Sequence, residues 1–153
     1  MIRLKTILSV AASLMATASV SVVAAEIPAM IGTWKGTTHA IIAGNGGNFP
    51  ESAGTFEKPF LAEKAVSYEI TGQQDQRFWG KVTFTSKDGA KTEEPFIGHL
   101  TGPDNHTVLM ADTDGYYNGK LVGNNQLSYC YTHAGGKSKT TVIGCQDVKR
   151  QAP

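Results

Sequence analysis

Six times the chain repeats a triplet of a large apolar residue, any residue, and glycine. The copies are Trp34-Lys35-Gly36, Ile70-Thr71-Gly72, Phe78-Trp79-Gly80, Phe96-Ile97-Gly98, Tyr117-Asn118-Gly119 and Val142-Ile143-Gly144. In most copies another residue of moderate or large size follows at the next even position, such as Val82, Leu100 or Leu121. Alternate residues of a strand share one face, so each copy turns an apolar group and a glycine the same way. Glycine weakens the interior of a strand unless curvature or close approach demands it. The repeat therefore predicts a strongly coiled, closed sheet with its glycines on the inner face.

The first residues read as a targeting segment. Arg3 and Lys5 form a short positive start, Ile7 to Val23 is a run of apolar and small residues, and Val23-Ala24-Ala25 is a small-residue cleavage site. Residues 1–25 are expected to be removed, leaving 26–153 as one domain in a periplasmic or secreted location. An uncleaved anchor is the rival reading, disfavoured by the Ser, Thr and Ala content of the run. Without Arg3 and Lys5 the 14 basic residues become 12, against 13 acidic ones, a formal net charge of −1. No basic block remains, which argues against nucleic acid and anionic membrane surfaces as partners. Cys130 and Cys145 are the only cysteines. In an oxidising compartment a single disulfide is expected in preference to two free thiols or a metal site.

Nearly everything after the lead Glu26–Ile31 reads as strand and turn. Turn signals at Asp88-Gly89, Gly102–Asn105, Asp114-Gly115, Gly123–Asn125 and Gly135-Gly136 separate eight expected strands. These run over about 33–42, 64–72, 76–85, 91–101, 106–112, 115–122, 125–133 and 139–149. Short connections make sequential strands pair as antiparallel hairpins. The expected fold is all-β, a single eight-stranded antiparallel up-and-down barrel. The connection 43–63 is too long and glycine-rich for a hairpin turn. It reads either as an excursion with a short edge strand near Thr55 to Leu61, or as a lid over one mouth.

Gly32-Thr33-Trp34 opens the first strand after a segment long enough for one helical turn, and Lys149-Arg150 ends the last. This arrangement resembles the calycin superfamily, which includes lipocalins, fatty-acid-binding proteins, avidins and a group of bacterial metalloprotease inhibitors. The resemblance implies that Gly32 and Trp34 mark the closed end, where the Trp34 indole plugs the barrel. It also implies a basic side chain, Arg150 or Lys149, packed across that ring.

With Trp34 inward, phase turns Gly36, Thr38, Ala40 and Ile42 inward on the first strand. Apolar phase does the same for Val66, Tyr68 and Ile70, and for Phe78, Val82 and Phe84. It also turns Phe96 and Leu100, Tyr117 and Leu121, Leu127, Tyr129 and Tyr131, and Val142, Gln146 and Val148 inward. The fifth strand is apolar on both phases and has no readable orientation. The mouth lies opposite Trp34, so a ligand site would draw on Thr38, Tyr68, Phe84, Phe96, Tyr117 and Tyr131, with His133 at the rim. The competing reading is that these side chains simply fill the barrel. Trp79 falls outside, either as an anchor for a partner or as a cover for strand glycines.

No chemistry-bearing constellation emerges. The four histidines show no ligand spacing, Glu93-Glu94 straddles its strand, and Asp112–Gly115 lacks the Glu of a calcium loop. The expected function is non-enzymatic, with no cofactor and no metal. The partner is expected to be a small apolar or amphipathic molecule in the lumen, with no insertion into a membrane. The alternatives are a partner protein, as for a periplasmic protease inhibitor, and a filled-barrel structural or stress protein of the envelope.

Overall fold

A computed structural model describes residues 25–44, 54–135 and 140–152. Apart from Ala25, the expected signal segment lies outside the described residues. Eight strands follow in order: β1 (Gly32–Gly44), β2 (Phe60–Gln74), β3 (Arg77–Thr85), β4 (Lys91–Thr101), β5 (Thr107–Ala111), β6 (Tyr116–Val122), β7 (Gln126–Gly135) and β8 (Thr140–Arg150). Each pairs antiparallel with its neighbours in sequence, and β1 closes on β8 to complete an up-and-down barrel.

The outcome matches the expected strands closely, with one extension. β1 continues to Gly44 and β2 starts at Phe60, so Ala43, Gly44 and residues 60–63 are strand and not loop. Of the edge strand expected near Thr55 to Leu61, residues 56–58 are instead a bend, spanned by Thr55 N–H donating to the Lys58 carbonyl, and only Phe60 and Leu61 are strand, as the start of β2. The centre of that connection, residues 45–53, lies outside the described residues. The lead Glu26–Ile31 forms no helix.

The inward phase holds around the barrel. Trp34, Val66, Tyr68, Ile70, Phe78, Val82, Phe96, Leu100, Tyr117, Leu121, Leu127, Tyr129 and Val148 form one buried cluster. On β5 the structure supplies the missing orientation, with Val108 and Met110 buried and Leu109 outside. Burying a large apolar side chain contributes about 1.5–3 kcal/mol, so this cluster is the main source of stability.

One glycine departs from the expected phase. Ile70 faces Gly80, but Gly72 faces Trp79, so Thr71 is an extra residue in β2. Cross-strand partners share a face, and Gly72 thereby moves to the outer wall with Trp79. The same slip turns Gln73 to the face of its partner Phe78, at the base. Gly98 follows the expected rule: a Cβ there would overlap the inward Phe78 ring.

The base is sealed by side chains on backbone carbonyls. Trp34 Nε1 donates to the Met30 carbonyl at 3.1 Å. Gln73 accepts from the Met30 N–H at 2.6 Å and donates to the Pro28 carbonyl at 2.9 Å, tying the lead across the barrel floor. Phase selects Arg150 over Lys149 for the cation. The Arg150 guanidinium lies 4.1 Å from the Trp34 ring centre and donates to the Ile31 carbonyl at 2.7 Å and to the Ala29 carbonyl. Lys149 is exposed. Midway along the two strands, facing residues Cys130 and Cys145 join β7 to β8 through a disulfide.

Candidate functional site at the open end of the barrel

Trp34 closes one end, so a site must be sought where β1 ends and β2 begins. The six expected ligand residues fall into two groups. Tyr68, Phe96 and Tyr117 are buried and form, with Tyr129, an aromatic layer across the barrel. Their rings meet edge to face, with Tyr68 centred 5.4 Å from Phe96, 5.6 Å from Tyr129 and 6.4 Å from Tyr117. Such pairs add about 0.5–1.5 kcal/mol each beyond area burial, so this layer is a rigid floor. Phe84 and Tyr131 are only partly buried and stand above it, while Thr38 is buried at its edge. Tyr131 leans on Tyr117 with ring centres 4.7 Å apart.

The wall formed by β1, β2 and β8 is made of small side chains. Ala40 faces Ala62 on one side and Gly144 on the other, one layer nearer the mouth than Thr38 and Gln146. A hollow of about 840 Å³ lies against β1, β2 and β8; beside Ala40, Ala62 and Lys64 it is lined by the outward-facing His39, Ile41, Glu63 and Ile143, and by none of the six expected ligand residues. Gly144 belongs to the same wall. A Cβ there would lie 3.1 Å from Thr38 Oγ1 and 3.2 Å from the Ala40 Cβ, so its missing side chain keeps the wall thin.

The floor beneath this wall is polar at its centre. Gln146 Nε2 donates to the Tyr68 hydroxyl at 3.5 Å. Gln146 Oε1 and the Tyr129 hydroxyl are buried beside each other and the Tyr68 hydroxyl, and neither makes a well-formed hydrogen bond among the described residues. Leaving such an atom unsatisfied costs roughly 1–3 kcal/mol. The phenols of Tyr68, Tyr117 and Tyr129 are held well above the ordinary tyrosine range, in each case chiefly by burial. They act as neutral hydrogen-bonding groups.

Two carboxylates reach the same end, and neither is among the residues expected at the site. Asp112 caps the β5–β6 turn, its Oδ1 accepting from the N–H groups of Asp114 and Gly115 at 2.9 and 2.7 Å. Its Oδ2 accepts the Tyr117 hydroxyl at 2.5 Å. Glu94 faces the inward Val82 across β3 and β4. Burial raises its carboxyl above the usual range; the charges of Asp112 and Asp114 add to this, while His133 and Lys64 oppose it. The signal for Glu94 and Lys64 is in the sequence: each lies two residues from an inward position, Phe96 and Val66 respectively. His39 points outward and pairs with Glu63 at 3.7 Å. His133 is half-buried at the rim.

No known protein-family model matches this chain, and no curated protein matches it.

Proposed function

We propose that this is an exported, non-enzymatic barrel of calycin type that binds a small amphipathic molecule at its open end. The observation that supports the reading is a buried polar pair, Gln146 and Tyr129, whose Oε1 and hydroxyl lack a well-formed hydrogen bond one layer below a wall of Ala40, Ala62 and Gly144. A polar group of the ligand satisfies these atoms, and its apolar part lies against Tyr131 and Phe84. The occupied region is the open end of the barrel, because buried side chains pack the interior beneath it. Thr38 supplies a hydroxyl at the edge of the floor, whereas Tyr68, Phe96 and Tyr117 support it from below. The cross-strand disulfide suits an oxidising compartment outside the cytoplasm.

Mass spectrometry of the natively purified protein tests this reading. A small molecule is expected to travel with the wild-type chain and to be lost from Gln146→Leu, which keeps side-chain bulk but removes the polar floor. A native protein that carries nothing, or a Gln146→Leu variant that retains its cargo, overturns it.

A further inference from the structure

Four side chains of the outer wall stand in one cross-strand row beside the hollow. Cys130, Cys145, His39 and Glu63 are successive partners over β7, β8, β1 and β2, so a disulfide, an imidazole and a carboxylate follow one another. Facing side chains of antiparallel strands have Cβ atoms about 4.5–5.5 Å apart, which sets His39 next to Cys145. On its other side His39 Nδ1 lies 3.7 Å from Glu63 Oε2. Cys145, His39 and Glu63 are all exposed, and all three line the hollow of about 840 Å³. Ile41, Ile143, Phe60 and Leu61 give the hollow apolar sides. Among the described residues that line it, Glu63 is the single carboxylate, against Lys64 and Lys87.

We propose that this row is a thiol–disulfide exchange site for a small apolar thiol, on the outer wall of the barrel. Exposed disulfides are the labile ones, whereas structural ones resist reduction. Displacement at sulfur runs in line with the bond that breaks. That bond links β7 to β8, so a thiol attacking Cys145 comes from the β1 side, out of the hollow and across His39. The imidazole accepts the proton of the incoming thiol and holds the thiolate as an ion pair, and Glu63 favours the imidazolium so formed. The thiolate sulfur bonds to Cys145 Sγ, the bond to Cys130 breaks, and its electron pair leaves on Cys130 Sγ. Cys130 takes up a proton through solvent as His39 releases the one it accepted. The incoming thiol is thereby oxidised to a mixed disulfide and Cys130 is reduced to a thiol, with no other oxidant. The volume is that of a small-molecule site, and its apolar sides select the group that carries the thiol.

The test treats the native, oxidised protein with benzyl mercaptan, quenches with iodoacetamide at intervals and maps the products by mass spectrometry. The expected product carries the mercaptan on Cys145 and the carbamidomethyl group on Cys130. Glutathione, which lacks the apolar group, is expected to react more slowly. His39→Ala is expected to slow the reaction roughly 10-fold with unchanged circular dichroism, and Glu63→Gln to slow it less. Thiophenol arrives already ionised, so it is expected to distinguish wild type from these variants far less. A native disulfide that stays closed where benzyl mercaptan opens it in the urea-unfolded chain overturns the proposal. So does an adduct on Cys130, a preference for glutathione, or a His39→Ala rate equal to wild type. A loss in His39→Ala that thiophenol shows equally overturns it as well.

Discussion

The indole of Trp79 lies directly on Gly72, filling the place where a Cβ would stand. The contact exists because Thr71 is an extra residue in β2, which brings Gly72 opposite Trp79 on the outer wall. Trp79 thereby covers backbone that a glycine leaves bare. Of the two sequence readings of this tryptophan, the contact with Gly72 is the cover.

Gly72→Ala is expected to displace the indole and to cost about 1–3 kcal/mol, as overpacking of a tight contact does. In a Trp79→Ala background the same change is expected to cost little, giving a coupling of about 0.5–3 kcal/mol in a double-mutant cycle measured by urea unfolding. Equal costs in the two backgrounds would show that the contact does not set the penalty.

Arg150 combines a ring contact with bonds to the carbonyls of Ala29, Ile31 and, at 3.3 Å, Asn124. Arg150→Ala is expected to lower stability by about 2–3 kcal/mol, since charged hydrogen bonds contribute about 1.5–3 kcal/mol and the cation–π contact adds to them. Arg150→Lys is expected to recover less than half, because one ammonium cannot reproduce the planar fork. Lys149→Ala, at the neighbouring exposed position, is expected to stay within about 0.5 kcal/mol of wild type. Urea midpoints separate the three.

The disulfide spans 15 residues of sequence between facing positions of β7 and β8. A loop of that size corresponds to about 3 kcal/mol in the chain-entropy account. Replacing both cysteines with alanine is expected to lower the melting temperature by several degrees while leaving the β-sheet spectrum intact. An unchanged Tm on reduction would contradict this.

Four of the five tyrosines hold their protons more tightly in the folded chain than an exposed phenol does, because burial opposes the phenolate. An acid whose folded pKa is raised contributes stability that is fully present below its unfolded value, near pH 10, and is lost as pH rises beyond it. Stability is therefore expected to change little from these groups between about pH 7 and 9 and to fall steeply above about pH 10. Absorbance at 295 nm and circular dichroism should report one cooperative step. Gradual ionisation of these phenols within an intact barrel would refute the burial account.

Strand order and phase were legible in the sequence because each inward face carries a clear period of two, from Trp34 through Ile42 and from Val142 through Val148. The same period identifies Arg150, two residues beyond Val148, as the cation that reaches Trp34. β5 was illegible because Val108, Leu109 and Met110 are all apolar, and only its partners decide which face is buried. The bulge at Thr71 was hidden because a single inserted residue leaves composition unchanged and reverses phase beyond it. That reversal misplaced Gly72 and concealed the role of Gln73. At the open end, Asp112 read as a turn residue, and its link to Tyr117 forms across the β5–β6 hairpin, where Tyr117 faces Met110. The length of β1 and β2 past the expected boundary was obscured by Ala43, Gly44 and the mixed polarity of residues 60–63.

Binding is expected above the aromatic layer and nowhere below it. A high-resolution crystal structure of the natively purified protein tests this most directly. Density is expected at the wall of Ala40, Ala62 and Gly144, bonded to Gln146 Oε1 or the Tyr129 hydroxyl, over an unbroken floor of Tyr68, Phe96 and Tyr117. A ligand lying between that floor and Trp34, or a mouth in which Gln146 and Tyr129 satisfy each other with nothing bound, would contradict it.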